Sequence, residues 1–192
     1  FQTLWPDIDV RLDTNLKPMD FAAQGIDIGI RYGAGVWAGL VAEKLMEEEV
    51  FPVCSPSFLS QHQDIKEPCE LLKHTLIHDL SMDLHGSFVS WDTWFERICI
   101  LKKETIRGLK INNSAAVLQS AVDGHGIALA RSVMAHDDLT AGRLVRLFPG
   151  IKCPSPLAYF IVYKAESSIV TKVSAFRDWL IAEISADQNI TR

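Results

Sequence analysis

Short segments in which every second residue is apolar are interleaved along this chain with segments whose apolar residues recur every three or four positions. The first period sends alternate side chains to opposite faces of a strand, and the second gathers them on one stripe of a helix. A chain that keeps switching between the two folds as open sheets covered by helices, the α/β class. The alternation is plain in Ile26-Asp27-Ile28-Gly29-Ile30-Arg31 and in Val10 and Leu12 with their polar neighbours, each a half-buried strand. Between them Pro18, Asp20 and Gly25 supply the start, first-turn acid and stop of a short helix over residues 18–25. A right-handed strand-helix-strand unit is expected, with the loop over residues 32–37 at the carboxyl edge of its sheet, where ligands bind.

Residues 40–45 and 49–54 are extended, and Ser55-Pro56 opens a helix with Ser55 as N-cap. A strand over residues 76–78 runs into a loop rich in Asp, Ser and Gly that ends at Ser90. Trp91 and Trp94 stand three apart and share a helical face, a packing role. Asn112-Asn113-Ser114 leads into a helix striped by Val117, Leu118, Ala121 and Val122 and closed by Gly124. Strands follow over residues 126–130, 143–148 and 157–163, with a proline-rich stretch over residues 149–156 before the last of them. The final element is a long helix with Ile169, Val173, Phe176, Leu180 and Ile184 on the face that covers a sheet.

Composition narrows the function. With 48% hydrophobic and 22% charged residues the chain has material for one or two packed cores. Its 19 Lys and Arg stand against 24 Asp and Glu, a net charge of -5, so the basic footprint of a DNA-gripping surface is missing and any such binding resides elsewhere. The apolar run over residues 157–163 is far short of the ~20 residues that span a bilayer, and no charged-then-apolar leader opens the chain. Cysteines 54, 69, 99 and 153 form no C-x-x-C pair and have no histidine at zinc-ligand spacing, which suits separate thiols in a reducing cytoplasm. No H-E-x-x-H, G-x-S-x-G or complete dinucleotide fingerprint is present, so the expectation is a protein that is not an enzyme and holds no metal or cofactor. The opening residue Phe1 reads as the tail of a helix, and an upstream part is expected to have been removed.

Five motifs in register carry a family resemblance. They are Asp9-Val10-Arg11-Leu12, Gly25-Ile26-Asp27-Ile28-Gly29-Ile30-Arg31-Tyr32-Gly33, Val53-Cys54-Ser55-Pro56, Leu118-Gln119-Ser120-Ala121-Val122-Asp123-Gly124-His125-Gly126-Ile127-Ala128-Leu129, and Phe176-Arg177-Asp178-Trp179-Leu180. In this order they resemble the effector-binding domains of LysR-type transcriptional regulators over nearly the whole chain, in particular the subgroup of the glycine-cleavage activator and the β-lactamase regulator. The resemblance implies two Rossmann-like subdomains joined by two crossover strands, similar to type 2 periplasmic binding proteins. Subdomain I would comprise residues 1–52 and 157–192, and subdomain II residues 53–156. It further implies a small polar or anionic metabolite held in the cleft, a homodimer or tetramer, and DNA contact through a winged helix-turn-helix absent from this chain. The first strand of subdomain I is expected to be absent too, leaving that sheet rearranged or marginally soluble. A periplasmic-type solute-binding protein of a transport system shares the fold and is the alternative.

The candidate ligand residues each carry a second reading. Arg31, Tyr32 and Gly33 follow a strand, where a guanidinium either clamps a carboxylate or phosphate or pairs with a neighbouring acid. Gly33 also suits a plain turn. Thr14 and Asn15 border the cleft by resemblance, or cap a turn. Asp20 matches a pocket acid of a subgroup member, or stabilises a helix start. Asn113 and Ser114, and likewise Ser55, open helices, where anion binding and ordinary capping need the same residues. Tyr159 matches a pocket tyrosine of a subgroup member, or belongs to the core.

Overall fold

The computed structural model of the chain describes residues 1–14, 21, 23–81, 86–100 and 108–190, with side chains through residue 186. The strands are β1 (Ile28–Gly33), β2 (Val41–Met46), β3 (Val50–Cys54), β4 (Leu76–Asp79), β5 (Gly108–Ile111), β6 (Ile127–Arg131), β7 (Val145–Arg146) and β8 (Ala158–Tyr163). The helices are α1 (Pro56–Gln61), α2 (Trp91–Arg97), α3 (Ser114–Val122), α4 (Ser132–Thr140) and α5 (Thr171–Ile190), with 3-10 turns at Pro68–Lys73 and Ala165–Ile169. Contacts divide the chain into two units, Phe1–Glu47 with Leu157–Arg192, and Glu48–Pro156. Among the described residues no helix is long and apolar enough to cross a membrane.

In the first unit β8 lies between β1 and β2 and is antiparallel to both. Its Ile161, Val162 and Tyr163 are buried, and α5 lays Val173 and Leu180 against Ile161 and Tyr163. The Tyr163 hydroxyl donates to Glu43 on β2, which pushes the phenol above its usual range, and Arg177 of α5 stands 3.5 Å from the same oxygen. The expected strand-helix-strand unit is not what these residues build. Residues 9–14 form no strand, because no described strand offers them a ladder, and Val10 and Leu12 are exposed by 47% and 85%. Residues 18–20 and 22 of the expected helix lie outside the described residues, while Phe21 and residues 23–25 form a turn in which the Ile26 N–H donates to the Phe21 carbonyl. Ile169 leaves the apolar stripe of the last helix, since it sits in the preceding 3-10 turn at 88% exposure.

The second unit holds a sheet of order β5-β4-β6-β3-β7, in which β5, β4 and β6 are parallel and β3 is antiparallel to its neighbours. Phe58 of α1, Leu71, and Trp94 and Phe95 of α2 pack with Leu76 and Ile127, while Val117 and Ala121 of α3 and Ala135 of α4 pack with Ile77 and Ala128. Leu76 and Ile77 are successive strand residues and point to opposite faces, so helices cover both sides of this sheet. All five residues of β3 are buried, Pro52 among them. A proline inside a sheet is tolerated where its missing N–H has no carbonyl to meet. Here β7 pairs only with Val53 and Cys54, and Pro52 meets the chain beyond through its carbonyl, which accepts from Leu147 N at 2.9 Å. Burial pushes the Cys54 thiol up to about 11, so it packs as an inert apolar group.

The sequence pattern predicts no helix over Ser132–Thr140, where α4 stands. Only Ala135 of its residues is buried, so no apolar period marks it. Its start is stabilised from a distance: Glu48, 4% exposed, accepts from the Ser132 hydroxyl and from Val133 N at 3.0 Å. Next to it Glu49 receives two parallel hydrogen bonds from Arg146, at 2.7 and 3.0 Å. Burial raises the Glu49 carboxyl, but the Arg146 guanidinium, Lys152 and the Cys153 backbone together outweigh it and hold the group below its ordinary value of 4.5.

Leu12→Ser is expected to change urea stability by less than about 0.5 kcal/mol, as for a surface site, while Trp94→Ala loses about 3–5 kcal/mol. A carboxylate whose folded pKa is depressed stabilises the fold above its unfolded pKa and loses that contribution as pH falls through the folded one. Glu49→Gln is therefore expected to cost about 1–2 kcal/mol at neutral pH. The gap between variant and parent should close as denaturation is repeated at pH values falling from 4.5 through the depressed value.

Candidate functional site

Because β5, β4 and β6 run parallel, their carboxyl ends share one edge of the second unit, and α3 begins there. Asn113 caps α3, its side-chain oxygen accepting from Ala116 N at 3.0 Å. Ser114, the first helical residue, donates its hydroxyl to Asp79 Oδ2 at 2.5 Å. Asp79 closes β4, and its other oxygen accepts from the Ser81 hydroxyl at 2.5 Å and from Ser81 N at 2.8 Å. The two serine oxygens lie 2.8 Å apart. The carboxylate thus engages the serine hydroxyl at the start of α3 but not the first backbone N–H groups of the helix. The side chains of the corner still offer lone pairs, on both hydroxyls and on Asp79, which suit a ligand's ammonium or amide N–H.

Beside this corner lies a pocket of ≈ 240 Å³. Its sheet wall carries His78 and Asp79 of β4, Lys110 of β5 and Arg131 of β6, and Ser90 and Asp92 approach it from the start of α2. The Trp91 indole N–H donates to the Ile77 carbonyl at 2.9 Å and fastens α2 against β4. His78, Lys110 and Arg131 share the α2 face of the sheet with Asp92, whereas the Asp79 carboxylate turns to the α3 face, so charged groups flank the strand ends on both sides.

The remaining sequence candidates lie apart from this corner. Ser55 caps α1 by accepting from Phe58 N at 3.2 Å and is 3% exposed. Since β3 runs opposite to β6, Ser55 belongs to the other edge of the sheet, next to Gly124. Arg31, Tyr32 and Gly33 sit within β1, and Tyr159 within β8 faces Tyr32 with ring centroids 4.9 Å apart. A Cβ on Gly33 would come 2.9 Å from the Trp37 ring, so the glycine there makes room for an indole. Thr14 and Arg31 line a first-unit groove of ≈ 450 Å³ between residues 8–14, β1 and α5. Asn15 and Asp20 lie outside the described residues. Sequence reasoning missed Asp79 and Ser81, which it read as loop; the signal was an acid at the end of an apolar strand, two residues before a serine. It also found no metal-ligand spacing, yet among the described residues His62, Asp64 and His74 bring one ligand atom each within 4.8 Å of one another.

Comparison with known proteins agrees with this architecture. Residues 1–185 match the family model of the LysR substrate binding domain. The glycine cleavage system transcriptional activator of Escherichia coli K12 is 36% identical over 188 residues, covering 98% of this chain and 59% of the activator. The transcriptional activator AmpR of Pseudomonas aeruginosa is 31% identical over 182 residues, covering 94% and 58%. The effector domain of that AmpR superposes with a TM-score of 0.78 at 28% identity, covering 97% of this chain and 85% of that one. The effector-binding domain of AmpR from Citrobacter freundii gives 0.79 at 25%, covering 96% and 88%. The chain spans 59% of the length of the glycine cleavage activator it matches. The family match, the relatives and the superpositions lead to one conclusion: the chain belongs to the LysR substrate-binding-domain family, as an effector-binding domain.

Proposed function

We propose that the second unit recognises a small metabolite carrying both an amino or amide group and an acidic group, at the carboxyl edge of β4, β5 and β6. The observation that carries this reading is Asp79, which holds the Ser81 and Ser114 hydroxyls on the α3 face of the strand ends whose α2 face carries the pocket with Lys110 and Arg131, so that a ligand lying across those ends reaches both. The ligand's N–H groups would meet the acceptor corner, and its acid would meet the cations. In this reading the two units are the regulatory subdomains of a cytoplasmic regulator that works as a homodimer or tetramer. DNA would be met by a helix-turn-helix outside these 192 residues, as the name of the AmpR relative suggests for that protein. The ligand acts by its difference in affinity between two states of the regulator. The relatives are transcriptional activators, which favours this reading over a transport-type binding protein.

A thermal-shift screen of amino acids, purines and muropeptide fragments, followed by calorimetry on the hits, tests the site. At least one zwitterionic compound should stabilise the chain, and Asp79→Asn and Ser114→Ala should each weaken it by about 10-fold or more, the worth of a hydrogen bond to a charged group. Ser55→Ala should leave affinity unchanged. Hits that ignore both Asp79→Asn and Ser114→Ala, or a screen without any stabilising compound, would refute the assignment.

A further inference from the structure

The strongest unassigned chemistry lies at the other end of β4. α1 ends at His62, whose N–H donates to the Leu59 carbonyl at 3.2 Å and whose carbonyl accepts from Ile65 N at 3.2 Å. Ile65 is buried, so Asp64 is held between two fixed points. The 3-10 turn Pro68–Lys73 ends at His74, tied to the Leu71 carbonyl at 3.1 Å and followed directly by Thr75 and β4. Leu71 is fully buried. All three side chains thus stand on backbone that the core pins down.

They converge. His74 Nε2 is 3.1 Å from Asp64 Oδ2, and the His62 and His74 rings are 4.7 Å apart, centroid to centroid. Phe58 floors the group, 4.2 Å from the His62 ring and 6.2 Å from that of His74. The His74 side chain is 8% exposed and that of Asp64 is 51%, so the cluster is closed on its protein side and open toward solvent. Pairing of His74 with Asp64 alone would explain two of these residues. It leaves His62, whose imidazole has no hydrogen-bond partner among the described residues although it is aimed at the same point.

We propose that His62, Asp64 and His74 form a binding site for a divalent transition-metal ion of the zinc type, with water in the fourth position. Bonds of about 2.0–2.2 Å from imidazole nitrogen and carboxylate oxygen place the ligand atoms of a tetrahedral ion ~3.3 Å apart. The His74–Asp64 pair already has that spacing, and His62 turns inward without breaking a hydrogen bond. Two imidazoles and one carboxylate with an open position suit zinc, and also copper or nickel, better than the hard ions calcium and magnesium. Bound there, the ion would stitch the end of α1 to the end of the 3-10 turn.

The test uses the 192-residue chain, stripped with chelator and titrated with cobalt(II), then zinc. One equivalent of cobalt should bind with visible d–d absorption and no thiolate charge-transfer band, and zinc should displace it. His62→Gln, His74→Gln and Asp64→Asn should each weaken zinc binding by at least about 10-fold, with circular dichroism unchanged. Because Asp64 is exposed, its variant decides the matter even if an imidazole variant fails to fold. Failure to bind cobalt, a thiolate band placing the ion on the exposed Cys69 or Cys99, or zinc affinity unchanged in the folded variants would overturn the proposal.

Discussion

The strand ends where the chain enters and leaves the second unit are tied at one buried carboxyl group. Glu48 opens that unit, and a polar group so far from water needs partners, which one of its two oxygens finds and the other does not among the described residues. One of its oxygens accepts from the Ser132 hydroxyl, from Val133 N at 3.0 Å and from Glu49 N at 3.2 Å. Around it the entering and leaving strands of the unit are bonded to each other: Ser155 N donates to the Glu48 carbonyl and Val50 N to the Cys153 carbonyl. Arg146 extends the clamp, gripping Glu49, capping the Ile151 carbonyl and lying 4.0 Å over the Phe51 ring. The consequence reaches the pocket. Ser132 directly follows Arg131 and Val50 nearly follows Glu48, so the clamp that starts α4 also sets two residues of the pocket wall.

The corner beside that pocket illustrates how sheet register sets the hydrogen bonding at a helix start. Asparagine and serine at the head of α3 would, alone, present donors. Asp79 arrives from β4 because the parallel ladder with β5 brings the end of one strand level with the turn after the other, Asp79 standing opposite Ile111. It takes the serine protons, so the two hydroxyls are left with lone pairs beside the backbone donors of the helix start. The hydrogen bonding of this corner is therefore a property of sheet register as much as of residue type. A shift of β4 by one residue would turn Asp79 to the face that His78 now occupies.

Local signals were legible in the chain and distant ones were not. Ser55 followed by Pro56, Asn113 at the head of α3 and Gly124 at φ +81 after its end all do in the structure what their types and spacing imply, because capping acts over two or three residues. The buried face of Trp91 and Trp94 was equally readable from their spacing. Helix α4 was invisible because the acid that caps it stands 84 residues away, and because it buries a single alanine instead of a stripe. Val10 and Leu12 misled for the converse reason: alternation marks a strand only where a partner exists, and both side chains are exposed. Asp79 and Ser81 carry the composition of a loop, and the His62, Asp64 and His74 cluster is hidden in the sequence by the turn that folds position 74 back on position 62.

β4 joins the two clusters, with His74 two residues before its start and Asp79 as its last residue. Only four residues long, it is hydrogen-bonded to a strand on each side, and Leu76 and Ile77 are buried on opposite faces. To carry a signal from one end to the other it would have to slide against two ladders and two packed layers, and close-packed interiors resist such displacement. A ligand shifts an equilibrium only where it binds two states unequally. With β4 held in place by both neighbours, the strand itself gives neither cluster a second state to bias, and an ion and a metabolite bound as proposed would stabilise this unit additively.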